Sequence, residues 1–454
     1  MSAVAGPGED AFTEATRVFN LAAPAQPAEA VTATSVAEVR AALRHAMRAG
    51  LPVRVHSTGH ASATGAPMAG ALLIRTAIEG GVTIDPASGT ARIPAGTPWG
   101  AVIDAAAPLG LAAPHGSSPL VGVVGYLLRG GISVYGRHTG VAANLVRAVE
   151  LVTADGELRR VDGESDPELF RAVRGGGGGF GVVTAIEVGL FPVDSLITGA
   201  AYWPAAHAER ILPLWLDWAR TAPREVTTSL RVMRLPDLPV IPPPLRAGPV
   251  VCVDGTVLGL TADDLPTTRK YADELLGPLR AVAEPLVDSW RPAGLPDVAE
   301  THMDPVEPFP LYGDHLLLDD LGEEGAAAFL RVAGEDSGSP LINAELRQLG
   351  GALAEPAPGG GVLGHLDGAL GYLGGGVPFG PVTPEAIEAH CAEVRAALRP
   401  WDTGRTVPTF VEHVGQPQGH LDAGEAARVR AVRSRVDPAG LFRGDVVPRS
   451  GAVA

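Results

Sequence analysis

The chain is poor in cysteine, in positive charge and in long apolar runs, and each shortage excludes a class of protein. Cys252 and Cys391 are the only cysteines among 454 residues. Two cysteines cannot build a disulfide framework or a multi-cysteine metal site, although a single bridge stays open. We therefore expect no metal centre in this protein.

The charge balance and the shortage of apolar runs exclude two further classes of protein. With 35 basic and 51 acidic residues the net charge is −16, which argues against nucleic acid or an anionic membrane as the main partner. No apolar run reaches the roughly 18 residues of a membrane span, and the N-terminus carries acids where a secretory signal has basic residues. We expect a cytoplasmic protein that acts on a small molecule, and the sequence leaves its oligomeric state open.

What is present is a globular composition, with 46% hydrophobic residues. A chain of this length predicts two domains or one interrupted domain. Up to Val193 the sequence alternates helix and strand signals, including a capping box at Ser35-Val36-Ala37-Glu38 and a hairpin turn at Asp155-Gly156. Proline, tryptophan and tyrosine are then more frequent and turn signals sparser, so we place a boundary near Asp194.

A glycine run carries a formal dinucleotide motif. Gly176, Gly178 and Gly181 match G-x-G-x-x-G, but with 58 glycines in the chain roughly one such match is expected by chance. A dinucleotide fingerprint follows a strand and opens a helix, whereas this run follows the helix-like DPELFRAVR and opens a strand. The run therefore argues against a nicotinamide site, although its backbone can still approach a phosphate closely.

The loop HSTGHASATG places His56 and His60 four residues apart. That spacing suits a metal pair on a helix, but the small residues around both histidines favour a loop. A surface loop with incidental histidines is the alternative. No G-x-S-x-G nucleophile elbow occurs, and His115 beside Gly116-Ser117-Ser118 does not by itself make a serine–base dyad.

Taken together, several long stretches closely resemble the berberine-bridge-enzyme-like branch of the vanillyl-alcohol-oxidase flavoproteins, which have a PCMH-type FAD-binding domain. They are PVRVHSTGHASATG, SSPLVGVVGYLLRGG, DPELFRAVRGGGGGFGVVTAIEVGLFPV and RVRAVRSRVDPAGLFRGDVVP. The resemblance implies an α+β fold: a two-subdomain FAD-binding domain, interrupted by a substrate domain with a mixed or antiparallel sheet and helices. We expect residues 1–193 and 401–454 to form the FAD-binding domain and residues 194–400 the substrate domain.

The resemblance also implies which residues bind FAD. His60 matches the histidine that holds the flavin covalently through its 8α-methyl group. His56 stands where the family often has arginine, and Ser117 and Ser118 stand where bicovalent members have cysteine, so a single covalent bond is expected. Arg129 replaces a common glycine. The cofactor-binding residues implied are His56, Ser57, Thr58, Gly59, His60, Ala61, Ser62, Ser117, Ser118, Val121, Gly122, Gly125, Tyr126, Gly130, Gly131, Gly181, Val182 and Val183.

The catalytic base is less determined, because the family's Y-x-N-F-like strand has no exact counterpart. Residues 408–413 correspond to it, with Phe410 and Glu412 at the tyrosine and asparagine places. Glu412 is our first candidate for the base. His413, Tyr126, Tyr135 or a residue of the middle domain are the alternatives, and both tyrosines can equally be packing residues.

The resemblance implies an FAD-dependent oxidase or dehydrogenase. It would transfer hydride from a small-molecule alcohol, amine or secondary-metabolite intermediate to flavin N5, with O2 as the acceptor that reoxidises the flavin. The missing tyrosine and asparagine keep a second hypothesis open, a flavoprotein cyclase or isomerase of natural-product biosynthesis without net redox change. A flavin-bearing binding protein is the non-enzymatic alternative.

Overall fold

The structure is a computed structural model that describes residues 4–64, 68–444 and 446. Its first layer is a three-stranded parallel sheet in the order β1-β3-β2, which α2 crosses. Ser35 Oγ accepts the Glu38 N–H at 3.3 Å at the start of α2, and Gly50 ends the helix at φ 67°. The predicted helix start is confirmed, but the Glu38 carboxylate bonds the N–H of Thr34 rather than that of Ser35. These elements are α1 (Asp10–Ala15), β1 (Glu29–Ala33), α2 (Val36–Ala49), β2 (Val53–His56) and β3 (Leu72–Thr76).

The second layer is a five-stranded antiparallel sheet in the order β4-β5-β9-β7-β8. The hairpin predicted at Asp155-Gly156 joins β7 to β8, and the glycine run leads into β9 as expected. The elements of this part are β4 (Thr83–Asp85), β5 (Thr90–Pro94), α3 (Trp99–Ala106), β6 (Leu111–Ala112), α4 (Val123–Leu128), α5 (Gly136–Thr139), β7 (Val146–Val152), β8 (Leu158–Val161), α6 (Pro167–Val173), β9 (Val182–Gly189) and β10 (Phe191–Pro192).

After Asp194 the chain enters an eight-stranded antiparallel sheet with the path β14-β11-β13-β12-β17-β18-β16, and β15 also pairs with β11. Helices pack on it around a core that includes Trp203, Trp215 and Phe329. The elements are β11 (Ser195–Pro204), α7 (Ala208–Thr221), β12 (Val226–Met233), β13 (Val250–Gly259), α8 (Leu265–Arg280), β14 (Val287–Asp288), β15 (Arg291–Pro292), α9 (Val298–Thr301), β16 (Tyr312–Leu318), α10 (Gly322–Ala333), β17 (Asn343–Gln348), β18 (Leu370–Gly376) and α11 (Pro384–Leu398).

The C-terminal segment runs back to the first two layers. Helix α12 (Ala423–Val436) packs Val429 and Val432 into the core beneath the five-stranded sheet. The Asp437 carboxylate then accepts the N–H groups of Leu441 and Phe442, which places Phe442 beside Val53 of β2. The fold is therefore the expected α+β arrangement, while the domain limits at 193/194 and 400/401 stay a prediction.

Among the described residues no helix combines the length and apolar character needed to cross a membrane.

Candidate functional site

A cavity of about 440 Å³ lies between the end of β2 with its following loop, the segment around α4 and the eight-stranded sheet. Its volume falls in the range of small-molecule and cofactor sites. Segments far apart in sequence form its wall: residues 54–62, 116–126, 302–305 and 409–412, with side chains from β12, β17 and β18. Every predicted loop residue from His56 to Ser62 lines it, whereas Gly65 lies outside the described residues.

The loop after β2 is tightly folded, as its small residues predict. Gly59 has φ +75°, and a Cβ there would lie 2.6 Å from the Cα of Val18. Only glycine fits this backbone and this close approach. The loop thus packs against the N-terminal segment, and it presents both histidines without forming the helix that a metal pair needs.

His60 is held on two sides. Its ring stacks on Phe19 with centroids 4.0 Å apart and planes 12° apart. Its Nδ1 and the Thr58 hydroxyl are 2.8 Å apart, while its buried Nε2 has no partner among the described residues. Burial lowers the pKa of His60 to about 4, so the imidazole is neutral at pH 7.

His56 has a different partner, because its Nε2 bonds the carbonyl oxygen of Ala15 at 2.8 Å. Burial, helped by Arg75 and Arg54, lowers its pKa to about 4. A neutral imidazole cannot supply the charge of the arginine it replaces. Arg54, which the sequence analysis did not single out, is buried and lines the cavity two residues earlier. The sequence signal for it was the residue type, since Arg54 is a charged residue between two valines of β2.

The second predicted segment also faces the cavity, through Ser117, Ser118, Val121, Gly122, Gly125 and Tyr126. A Cβ at Gly122 would collide with Ser57 Oγ, so the two flavin segments approach as closely as glycine allows. The hydroxyl of Tyr126 is buried without a partner among the described residues, and burial raises its pKa well above the usual value. Tyr126 can donate a hydrogen bond but is not a base at neutral pH.

Three predicted residues lie behind this wall. Gly130 packs against Leu363, and Gly131 backs the ring of Tyr126. Tyr135 is buried between His115 and Phe191, with ring centroids 5.3 and 5.5 Å away. None of the three lines the cavity. Apolar packing takes these positions, so cofactor binding by Gly130 and Gly131 and the role of Tyr135 as a base stay predictions that the cavity lining does not support.

Gly181 precedes β9, and Val182 and Val183 begin it at the boundary between two cores. Val182 packs with Val53 and Phe442, and Val183 belongs to the core of the five-stranded sheet. None of the three lines the cavity. Their contact with the cofactor stays a prediction, and it would have to be made by backbone atoms.

Glu412 lies in the cavity wall, as predicted. Burial raises the pKa of its carboxyl to about 7, against the opposing effect of Arg129. His413 is exposed and does not line the cavity, so its role as a base stays a prediction that the cavity lining does not support. The segment before them, Pro408–Phe410, is a 3₁₀ turn rather than a strand because Pro408 has no N–H for a ladder.

The opposite wall carries charges that the sequence analysis missed. Arg231 of β12 pairs with Asp254 of β13 at 2.5 Å, and Arg347 pairs with Glu345 at 2.7 Å, both on β17. His302 joins the two pairs, with Nδ1 3.1 Å from Asp254 and Nε2 3.3 Å from Glu345. We call these five residues the ionic wall.

Charge pairing, not exposure, sets the protonation of the ionic wall. Burial alone would lower the pKa of His302, and Arg231 would lower it further, but Asp254 and Glu345 raise it to about 9. Burial likewise opposes ionisation of Glu345, yet Arg347 and His302 hold the pKa of its carboxyl well below the usual range. The sequence signal was limited to one charged residue on β12, Arg231, and two that alternate on β17, Glu345 and Arg347.

The turn after His302 joins the ionic wall to the flavin segments. Asp304 accepts a hydrogen bond of 2.6 Å from Ser117 Oγ. Met303 has φ 57° and is the only non-glycine residue in the described part of the chain with positive φ. Such backbone strain persists where surrounding contacts fix it, often at functional sites.

Arg129, the departure from the family's glycine, ties three segments together. Its guanidinium donates to Thr64 Oγ1 and to the carbonyl of Pro408, the latter at 3.1 Å. Its own carbonyl accepts the Thr409 hydroxyl at 3.0 Å. A glycine could not make the two side-chain bonds, so this substitution couples the flavin loop to the turn that carries Glu412.

Comparison with known proteins agrees with the geometry. The family described as an FAD binding domain matches residues 27–162. The (R)-6-hydroxynicotine oxidase of Paenarthrobacter nicotinovorans is 35% identical over 176 residues, 38% of this chain and 38% of that protein. YvdP of Bacillus subtilis (strain 168), named an FAD-linked oxidoreductase, is 24% identical over 96% of this chain and 95% of its own length.

The fold matches over nearly the whole chain. BBE-like 1 of Physcomitrella patens superposes with a TM-score of 0.81 at 19% identity, covering 98% of this chain and 97% of that one. The alignments above 30% identity span only about two-fifths of the relatives' length. The comparisons thus agree with the resemblance seen in the sequence: residues 27–162 carry an FAD-binding domain, and the whole chain has the fold of BBE-like 1.

Proposed function

We propose that this chain, as a flavoprotein with this FAD-binding domain, is an FAD-dependent oxidoreductase. Its substrate would be a small-molecule alcohol, amine or secondary-metabolite intermediate, and O2 the acceptor. The observation that carries the proposal is the Glu412 carboxyl in the cavity wall, whose pKa of about 7 suits a proton acceptor at neutral pH.

The residues present fit FAD. Three buried polar atoms of the loop have no partner among the described residues: His56 Nδ1, His60 Nε2 and Ser62 Oγ. Gly59 and Gly122 let the loop pack closely against Val18 and the second segment pack closely against Ser57, where a Cβ would collide. When bound, FAD supplies the redox chemistry, taking up hydride at N5 and passing the electrons on.

The chain's own residues would divide the remaining work. Ser57, Thr58 and Gly59 would hold the pyrophosphate, His60 would tether the flavin, and Tyr126 would donate a hydrogen bond. Glu412 would take the O–H or N–H proton of the substrate as hydride leaves the adjacent carbon. Glu345 is less suited to that role because Arg347 and His302 already hold it ionised.

The ionic wall favours substrates without net charge. Arg231, Arg347 and a protonated His302 face three carboxylates, those of Asp254, Asp304 and Glu345. Opening such buried pairs to bind a charged group would leave an uncompensated charge. A neutral alcohol, or an amine in its neutral form, can instead hydrogen-bond to the wall without breaking it.

Anaerobic mixing of the purified flavoprotein tests the proposal. Each of a panel, including (R)-6-hydroxynicotine, benzyl alcohol and benzylamine, is mixed without O2 while the flavin absorbance is followed. We expect at least one compound to bleach the flavin, and admitting air to restore the colour with formation of hydrogen peroxide. Conversion of a compound with no bleaching would contradict the oxidoreductase and favour the cyclase or isomerase, which the replaced tyrosine and asparagine motivate.

A further inference from the structure

We propose that Asn343 is a specificity-determining residue, which accepts a hydrogen bond from a second O–H or N–H group of the substrate. The substrate class is then a small neutral molecule with two hydrogen-bond donors, one beside the reacting carbon and one across the cavity. The inference deepens the proposed function and rests on it, because it takes Glu412 as the residue that holds the first donor.

The amide oxygen of Asn343 is an unsatisfied acceptor in the cavity wall. Asn343 begins β17 and lines the cavity, and its buried Oδ1 has no hydrogen-bond partner among the described residues. Glu345, two positions along the same strand face, differs, because Ser229 and Arg347 donate to its Oε1 at 2.8 and 2.7 Å. A buried acceptor without a donor is unfavourable and calls for a reason. A ligand donor can satisfy Asn343 without displacing another partner of its oxygen.

Strand pairing places Asn343 across from the turn that carries Glu412. Asn343 of β17 pairs with Gly375 of β18, and Gly375 pairs in turn with Gly313 of β16. Directly paired residues of antiparallel strands point to the same face of a sheet. Neither glycine has a side chain, and the Cγ of Glu412 lies 3.3 Å from the place that a Cβ at Gly313 would take. Glu412 therefore covers one end of this row, and Asn343 stands at the other.

The row sets the distance that the substrate has to bridge. Neighbouring strands lie about 4.8 Å apart, so Gly313 and Asn343 are roughly 10 Å apart. With a hydrogen bond of about 2.9 Å at each end, the two donors of the substrate would lie between roughly 4 and 10 Å apart, since the bonds can point inward or stand upright on the sheet. One six-membered ring with a donor on each side bridges such a distance.

The surface between the two acceptors is apolar. A Cβ at Gly375 would lie 2.9 Å from Leu311 Cδ1, so a methyl group of Leu311 takes the space above this glycine. Asn20 holds Leu311 in place through two 3.0 Å hydrogen bonds with its backbone. Met233, which pairs with Asn343 from β12, also lines the cavity. A hydrocarbon ring between the two donors suits this surface, because a polar group there would lose its hydration without gaining a partner.

An acceptor of this kind discriminates between ligands of the same shape. A ligand with a donor satisfies the Asn343 oxygen, whereas a ligand with a methyl group in its place leaves that oxygen unpaired and keeps water out. Because the amide carries no charge, the bond also forms without opening a pair of the ionic wall. We therefore expect a preference of about tenfold for the ligand with the second donor.

The test uses the wild-type holoprotein and three ligands built on one ring. They are trans-cyclohexane-1,4-diol, trans-4-methylcyclohexanol and 4-hydroxycyclohexanone, each titrated without O2 while the initial change in flavin absorbance reports binding. We expect the diol to bind about tenfold more tightly than the methyl compound, and the ketone, which cannot donate at that end, to bind like the methyl compound. Equal affinities, or no binding of the diol up to its solubility limit, would overturn the inference. A ketone that binds as tightly as the diol would show that the amide donates there, and would overturn it as well.

Variants assign the preference for the diol to Asn343. Asn343→Leu should abolish the preference, because it keeps the volume of the side chain and removes the acceptor, whereas Asn343→Asp keeps an acceptor and should retain it. Met233→Leu is the matched control, since Met233 lies in the same row of the sheet. It should shift the three dissociation constants together and leave their ratios unchanged. A preference that survives in Asn343→Leu would place the second acceptor elsewhere and overturn the inference.

Flavin bleaching separates this result from the test of the proposed function. If the diol is preferred and no compound of the panel bleaches the flavin, the oxidoreductase is contradicted and the binding role of Asn343 stands. If a compound bleaches the flavin and the diol is not preferred, the oxidoreductase stands and the inference about Asn343 is contradicted.

Discussion

Two faces of one cavity treat a buried histidine in opposite ways. On the flavin loop, small uncharged neighbours leave His60 neutral, and burial lowers its pKa to about 4. On the ionic wall, burial acts in the same direction on His302, yet Asp254 and Glu345 raise its pKa to about 9. The comparison teaches that burial keeps a histidine neutral unless neighbouring carboxylates outweigh it, as Asp254 and Glu345 do for His302.

The largest expected effect separates the two histidines of the loop. His60→Ala should abolish the covalent flavin, since His60 is the residue that the resemblance assigns to the tether, while leaving FAD binding possible. His56→Ala is the matched control, because His56 is equally buried and neutral but bonds Ala15. The measurement is the flavin colour and added mass of the acid-precipitated protein. Covalent flavin in His60→Ala would contradict the assignment.

The sequence predicted those features that depend on residues close together in the chain. Short-range sequence patterns predicted three such features: the loop from His56 to Ser62, the capped helix α2 and the hairpin at Asp155-Gly156. The ionic wall is not local, because Arg231 faces Glu345 only through strand pairing of β12 with β17. Tyr135 and His413 were plausible by residue type, and only packing shows that they miss the cavity.

The next effect probes the ionic wall through stability. Glu345→Gln removes the carboxylate shared by His302, Arg347 and Ser229. Breaking a buried pair of this kind destabilises a protein by about 3–5 kcal/mol. Glu274→Gln, which breaks the exposed pair with Lys270, is the control and should change stability by less than about 1 kcal/mol. Denaturant unfolding measures both, and equal effects would contradict the ionic wall as a coupled unit.

The pH dependence of stability should show the same contrast. The pKa of His302 is raised from 6.5 to about 9. Its charged form therefore stabilises the fold fully below pH 6.5, and this stabilisation is lost as pH rises through about 9. Burial lowers the pKa of His315 to about 3, so the stabilisation from its neutral form is complete above pH 6.5 and is lost as pH falls towards 3. His302→Gln should flatten the alkaline limb and His315→Gln the acid limb in melting curves. An alkaline limb unchanged by His302→Gln would contradict the charged state.

The smallest effect concerns the backbone of the flavin loop. Gly59→Ala meets both a positive φ and the Cα of Val18 at 2.6 Å, whereas Gly70→Ala meets a positive φ with open space around it. Backbone strain alone costs about 1 kcal/mol or somewhat more. We therefore expect Gly59→Ala to be the more destabilising of the two, and to weaken FAD retention as well. An equal decrease in melting temperature for the two variants would mean that the close approach to Val18 adds nothing to the destabilisation.

The central claim is that Glu412 takes the proton that leaves the substrate. The most direct measurement is the anaerobic rate of flavin bleaching against pH, with a saturating substrate, for the wild type and for Glu412→Gln. We predict a wild-type rate that rises with pH through about 7, where the carboxyl ionises, and a rate in Glu412→Gln that is lower by about 10²–10⁴ and has lost that rise. The same rise through pH 7 in Glu412→Gln would contradict the account.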